Sequence, residues 1–301
     1  MIRLTSVLLL FSLAMGTSAQ AQLCRSTLAL PTRQESRARP SPAARAVGSL
    51  LVAQATRWLQ STGWSPTEGH GAPESWTLDG PKDLTRNYDP ALSYDQDFYD
   101  LIRSAHGPSG VNYFARFLSE RQAHGQNTHV LDLFGSGFFV GTNPAAQSVT
   151  GLRWGAFKPK SQSESLPTFV PTEILGDIWN SATWDQLESS MQTRGIPSLD
   201  LVTMNPHGGW KNSPFYASAK NNSAVVALSL IVGQVLRVLS PTGAFYFSIP
   251  VDPTAGKLSE HQLLQDLTDL IEERTRFRLV LVAKVNSRNL TYQLQGALIP
   301  R

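Results

Sequence analysis

Three short stretches of this 301-residue chain carry groups suited to chemistry. The first is Asp132-Leu-Phe134-Gly135-Ser136-Gly137, where an acid near the end of an apolar run is followed by two glycines. Glycine lets a backbone approach a ligand closely, and a turn of this kind after a strand can present N–H groups to a bound molecule. Many tight turns read the same way. The second stretch is Gly176-Asp177-Ile178, just ahead of a helix start. A carboxylate there can cap the helix or accept a hydrogen bond from a ligand. The third is Asn205-Pro206-His207-Gly208, closing another apolar run. An Asn side-chain oxygen accepts hydrogen bonds and a neutral imidazole can take a proton, so this trio could align a nucleophile or act on it as a base. Asn-Pro also simply terminates strands.

Other chemistry is missing from the sequence. It holds no Gly-x-Ser-x-Gly elbow, no phosphate-binding Gly-rich Lys loop and no His-Glu-x-x-His pair. The single cysteine, Cys24, excludes an internal disulfide and a Cys-rich zinc ribbon. His124 and His129 flank one strand, are not at metal-ligand spacing, and are expected to be solvated or capping. Tyr88, Tyr94 and Tyr99 could cover a ligand mouth, and Trp154, Trp179 and Trp210 could line a cleft, or all six could be packing residues.

The elements that must position these residues follow from periodicity. Val47 to Leu59 reads as a short helix, and residues 60–93, rich in Gly, Pro and aromatics, have no firm assignment. From Asp95 to Ala123 the pattern is helical, with Phe98, Leu101 and Ile102 on one face, a break at Gly107-Pro108, then Val111, Phe114 and Leu118. From residue 129 strands alternate with helices: strands at His129–Phe134, Ser148–Leu152, Thr172–Leu175, Leu199–Met204, Ala244–Ile249, Arg278–Val285 and Leu290–Ile299. A helix capped by Asn180 or Ser181 buries Trp184, Leu187 and Met191; Ala224–Leu239 is apolar on most sides. Another opens on a Ser259/Gln262 capping box and turns Leu263, Leu264, Leu267, Leu270 and Ile271 inward. This alternation implies an α/β, doubly wound, mostly parallel sheet of seven strands. The four-residue link before the last strand can only make an antiparallel hairpin.

Composition sets the boundaries. Hydrophobic residues make up 41% and charged residues 16%, which excludes a disordered chain. A net charge of +3 is too small to mark a nucleic-acid surface. Residues 1–21 read as a signal peptide: Arg3, an apolar run from Val7 to Met15, then Ala19-Gln-Ala21. An exported protein, periplasmic or secreted, is therefore expected, the alternative being a cytoplasmic chain with a buried N-terminal helix. No later stretch is long enough for a membrane span. Residues 22–46, with five arginines, are expected to be a flexible linker, residues 47–127 a helical and irregular N-terminal extension, and residues 128–301 the α/β domain.

Over residues 129 to 299 the chain resembles the class I, Rossmann-like S-adenosylmethionine-dependent methyltransferases, which have seven strands with the last antiparallel. The resemblance implies S-adenosylmethionine as cofactor, held by Asp132, Phe134, Gly135, Ser136 and Gly137 at the first turn and by Asp177 and Ile178 around the adenine. It implies Asn205, Pro206 and His207 at the acceptor, as in amino-directed members, where an Asn and a backbone carbonyl accept bonds from the target nitrogen. The glycines stand three and five residues after Asp132, as if one residue of the family's turn were deleted. His207-Gly208 replaces the family's second proline and aromatic. The second strand ends in Arg153 where the family has an acid for the ribose hydroxyls, and arginine accepts no hydrogen bond. The resemblance thus leaves two functions open, a nitrogen-directed methyltransferase and an exported methyltransferase-fold module that has lost its cofactor. The acceptor is not encoded in any motif.

Overall fold

The computed structural model describes residues 39–61, 98–107, 113–133, 146, 148–153, 172–176, 178–204, 224–251, 258–286 and 291–301. All of them belong to one compact unit, Thr32–Arg301. Their elements in chain order are α1 (Pro42–Ser61), α2 (Tyr99–His106), α3 (Tyr113–Ala123), β1 (His129–Leu133), β2 (Ser148–Arg153), β3 (Thr172–Leu175), α4 (Ser181–Thr193), β4 (Leu199–Met204), α5 (Ala224–Val238), β5 (Leu239–Val251), α6 (Leu258–Arg274), β6 (Phe277–Asn286) and β7 (Thr291–Pro300).

The strands form one sheet in the order β3-β2-β1-β4-β5-β7-β6. The pairs β1–β2, β2–β3, β1–β4 and β4–β5 are parallel; β7 runs antiparallel to both β5 and β6. Apolar runs separated by helices give the parallel part, because a parallel strand needs a crossover to return. The short link before β7 makes a hairpin with β6, and β7 then sits inside the sheet, between β5 and β6.

Period-two alternation sorts the strand side chains onto two buried faces. Leu131, Leu133, Val202, Met204, Phe245, Phe247 and Leu298 pack with α1, α4, α5 and α6. Val130, Leu201, Ala244, Tyr246, Ala297 and Ile299 pack with α2 and α3. The result is a three-layer α/β/α sandwich. Helix α5 is apolar nearly all round, as its sequence implied, and is buried along its length between the sheet and α1.

Several expectations shift. The segment assigned to a flexible linker up to residue 46 is helical from Pro42, and Ser41 caps it, its Oγ accepting from the Ala44 amide at 3.1 Å. Ser-Pro is an N-cap followed by the first helical position, a start signal hidden in a proline-rich composition. Helix α6 begins at Leu258, one residue ahead of the expected Ser259, and Gln262 donates Nε2 to Asp266 Oδ1 at 2.7 Å. Leu263 is 39% exposed, not inward, while Leu267 and Ile271 are buried. Strand β5 starts early, at Leu239, and Pro241-Thr-Gly bulges out between the pairs Leu199–Leu239 and Leu201–Ala244. The expected cap of α4 is Asn180, accepting from the Ala182 amide at 3.0 Å.

Helices α1 and α5 meet at glycines. A Cβ on Gly48 would stand 2.5 Å from the Gly233 carbonyl oxygen, and one on Gly233 would stand 2.8 Å from that of Gly48. Only glycine permits this approach, which seats Val47, Leu51, Ala55 and Leu59 in the core. Arg45 and Arg237 bracket the contact by both engaging Glu188 of α4, at 3.1 and 2.7 Å. Among the described residues no helix is long and apolar enough to cross a membrane.

Candidate functional site

In an open parallel sheet, ligands bind beyond the carboxyl ends of the strands, where the strand order reverses. Here the chain winds from β1 to β2 and β3 on one side, then crosses back to β4 on the other, so that point lies between β1 and β4. Asp132 and Thr203 are register partners there, each the penultimate residue of its strand. Thr203 Oγ1 donates to Asp132 Oδ1 at 3.0 Å, and both side chains are buried. A buried carboxylate must be hydrogen-bonded to be tolerated, and the β4 threonine supplies part of that satisfaction.

The remaining expected site residues divide. Ile178 is buried in the main core, its carbonyl accepting from the Trp184 indole N–H at 2.7 Å. Gly176 lies so close to α4 that a Cβ there would meet Thr183 at 2.6 Å. Phe134, Gly135, Ser136, Gly137, Asp177, Asn205, Pro206 and His207 lie outside the described residues, as do Tyr88, Tyr94, Trp154 and Trp210. Phe134, Asp177 and Asn205 follow directly on Leu133, Gly176 and Met204; Leu133 and Met204 end β1 and β4, and Gly176 stands one residue past the end of β3. Arg153 ends β2, in register with Leu175 at the end of β3. Trp179 is a core residue, and Tyr99 is 47% exposed.

Two polar groups were not anticipated. The register that pairs Asp132 with Thr203 continues to Tyr246 on β5, on the face covered by α2 and α3. The Tyr246 hydroxyl donates to that of Tyr113 at 2.9 Å and lies 2.7 Å from His106 Nε2, itself 3.0 Å from the Tyr113 hydroxyl. The His106 ring stacks on Tyr113 with centroids 4.6 Å apart. Burial of its inner edge, then the charges of Arg278 and Arg116, lower the His106 pKa to about 4, so the imidazole is neutral at pH 7. Aromatic residues spaced through α2, α3 and β5 were visible in the sequence, but not that three elements would bring two hydroxyls and an imidazole together.

The second group lies at the amino ends of the strands. Asp200 accepts from Arg121 Nη2 at 2.6 Å, from the His129 amide at 3.0 Å and from Ser240 Oγ at 3.2 Å. Arg121 and Asp200 are both almost wholly buried. Burial raises the Asp200 pKa to about 6, against the opposing pull of Arg121 and of the two other donors. His129, expected to be solvated or capping, is buried with Nδ1 2.8 Å from Ser148 Oγ, and its pKa is lowered by burial and then by Arg194 and Arg121. His124 keeps the expected capping place, Nδ1 2.6 Å from the Glu120 carbonyl. The Arg121–Asp200 network ties α3 to β1, β4 and β5, at the end of the sheet away from the strand carboxyl termini. Among the described residues no group of three acids, histidines or cysteines could hold a metal.

No family model and no curated protein matches the chain. Several solved methyltransferases are similar to it. The O-methyltransferase TomG from Streptomyces achromogenes, involved in tomaymycin synthesis and solved in complex with SAM, is 13% identical, with 73% of this chain and 93% of that one covered and a TM-score of 0.35. The N-methyltransferase NodS from Bradyrhizobium japonicum is 12% identical over 62% of this chain and 93% of that one, TM-score 0.31. A TehB-like SAM-dependent methyltransferase from Corynebacterium glutamicum is 10% identical over 69% and 99%, TM-score 0.32. Strand order and direction, in contrast, are a direct observation: seven strands with β7 antiparallel to both its neighbours, as the alternation of runs and the short final link imply.

Proposed function

We propose that this chain is an S-adenosylmethionine-dependent methyltransferase acting on a nitrogen acceptor. The observation that carries the reading is the buried Asp132, held by Thr203 at the point where the strand order reverses. A buried acid at that place fits the anchoring role the family gives it. The end of β2 fits less well, because Arg153 offers no acceptor for a ribose diol. Asp132, Phe134, Gly135, Ser136 and Gly137 would hold the methionine part, and Asp177 with Ile178 the adenine. When bound, S-adenosylmethionine supplies an electrophilic methyl group. Asn205 would accept a hydrogen bond from the target nitrogen and fix its lone pair in line, the main demand of a displacement reaction. Pro206 would shape that turn, and His207 would take the proton released from the nitrogen.

Calorimetric titration with S-adenosylhomocysteine tests this. Micromolar binding that Asp177→Ala abolishes is expected. Absence of heat at millimolar ligand moves the assignment to the second reading, an exported methyltransferase-fold binding or structural module, which Arg153 at the end of β2 favours. Residues 1–21 are proposed as a cleaved signal peptide for export, with residues 128–301 as the domain that carries the site. N-terminal sequencing of exported protein should then begin near Gln22.

A further inference from the structure

We propose that a cleft at the amino end of the sheet binds a small organic acid, a carboxylate carried on an apolar body. The inference uses no residue of the proposed cofactor site and stands without it. The cleft has a volume of about 380 Å³, room for a small molecule. It lies where the first turn of α1 meets the last turns of α4 and α5 and the link from α4 into β4. Met204, at the other end of β4, marks the opposite side of the sheet. Two of its arginines, Arg39 and Arg45, come from the arginine-rich stretch 22–46 that composition assigns to a tether.

Three guanidinium groups line the cleft, those of Arg39, Arg45 and Arg237, against one carboxylate, Glu188. Arg45 Nη2 lies 3.1 Å from Glu188 Oε2 and Arg237 Nη2 lies 2.7 Å from Oε1, one cation on each oxygen. Arg237 also donates to Gln234 at 2.7 Å and lies 3.5 Å from the exposed Asp185, which is not part of the wall. Glu188 therefore holds two guanidiniums in place without cancelling the third. Arg39 is exposed, and among the described residues no carboxylate pairs with it. Each guanidinium carries five N–H groups, and a carboxylate can accept two of them in parallel. The carboxyl end of α4 would oppose an anion, but the Ser190, Met191 and Gln192 carbonyls are taken by the amides of Arg194, Ile196 and Gly195. Beneath the cations the wall is apolar: Pro40, Met191, Ile196 and Val238 are buried residues that reach it. A cationic rim over an apolar floor suits an acid with a hydrocarbon or aromatic body better than an inorganic ion.

Methionine-methyl NMR of the full chain tests this, because Met191 lies on the cleft wall and Met204 at the far end of β4. Met191→Leu identifies the Met191 signal. Sodium benzoate should shift that signal saturably and leave Met204 where it is. Benzylamine, the same ring with a cation, should not shift it at matched ionic strength. Sodium acetate, which lacks the ring, should bind about tenfold more weakly or worse. Arg39→Gln, at an exposed position, should weaken benzoate about tenfold, as should Arg45→Gln. If benzoate leaves Met191 unmoved, if benzylamine reproduces the shift, or if both arginine variants leave it unchanged, the cleft is not an acid site. If acetate matches benzoate, the apolar floor takes no part and the proposal fails on that count.

Discussion

Gly48→Ala is the most direct probe of how α1 docks. The added methyl would meet the Gly233 carbonyl oxygen at 2.5 Å, Leu236 Cβ at 3.2 Å and Arg237 Cγ at 3.3 Å. The nearest of these is backbone, which cannot swing aside as a flexible side chain would. The helices must part by several tenths of an ångström, loosening Val47, Leu51 and Ala55 against α5. Overpacking of this kind costs about 1–3 kcal/mol, with backbone contact at the upper end. Alanine returns about 1 kcal/mol through its better helix propensity. The expected net loss is about 2 kcal/mol, read as a lower urea midpoint at unchanged slope. Gly233→Ala, whose Cβ would stand 2.8 Å from the Gly48 oxygen, should cost a similar amount. The double variant should lose less than the sum, because one separation relieves both contacts. A Gly48→Ala protein more stable than the parent would show that only helix propensity is at work and that the close crossing is absent.

Other consequences can be checked in the same way. Arg121→Met leaves Asp200 buried without its cation and should cost about 3–5 kcal/mol near neutral pH; the loss should shrink toward pH 5, where the carboxyl already raised by burial becomes protonated, as pH-dependent denaturation would show. Ser41→Ala removes the α1 cap and should cost about 1 kcal/mol by the same assay. The raised Asp200 contributes stability that is complete below its ordinary 3.8 and lost as pH rises through about 6. The lowered His106 contributes stability that is complete above its ordinary 6.5 and lost as pH falls through about 4, reduced by solvent on its exposed rim. His106→Gln should therefore flatten the rise of stability with pH between these limits, and an unchanged slope would show that the ring is not buried against Tyr246.

The α/β class was readable because apolar runs of strand length alternate with runs of helical period, and β1, β3 and β4 lie where those runs do. The hairpin of β6 and β7 was readable from its short link, but a link length says nothing about which strand β7 joins on its other side. That choice is made by packing: Gly296 of β7 accepts the Phe247 ring of β5 at a distance that forbids any side chain. The start of α1 was missed because Ser41-Pro42 looks like linker composition until its capping role is considered. Leu263 was placed inward because it neighbours Leu264, although a helix face cannot hold every leucine of a run. The Asp132 contact with Thr203 and the Arg121–Asp200 pair are invisible to local pattern, since their partners lie 71 and 79 residues apart. Periodicity locates elements; only the sheet order brings such partners together.

Because β7 lies between β5 and β6, the sheet is joined by a strand that follows its own margin strand β6 in the sequence. Until Thr291–Pro300 is in place, β5 and β6 have no register with each other, and both keep bare backbone edges. The parallel half from β1 to β5 can pair without β7. A chain cut before residue 291 would therefore present two open templates, on β5 and on β6, to any neighbouring strand.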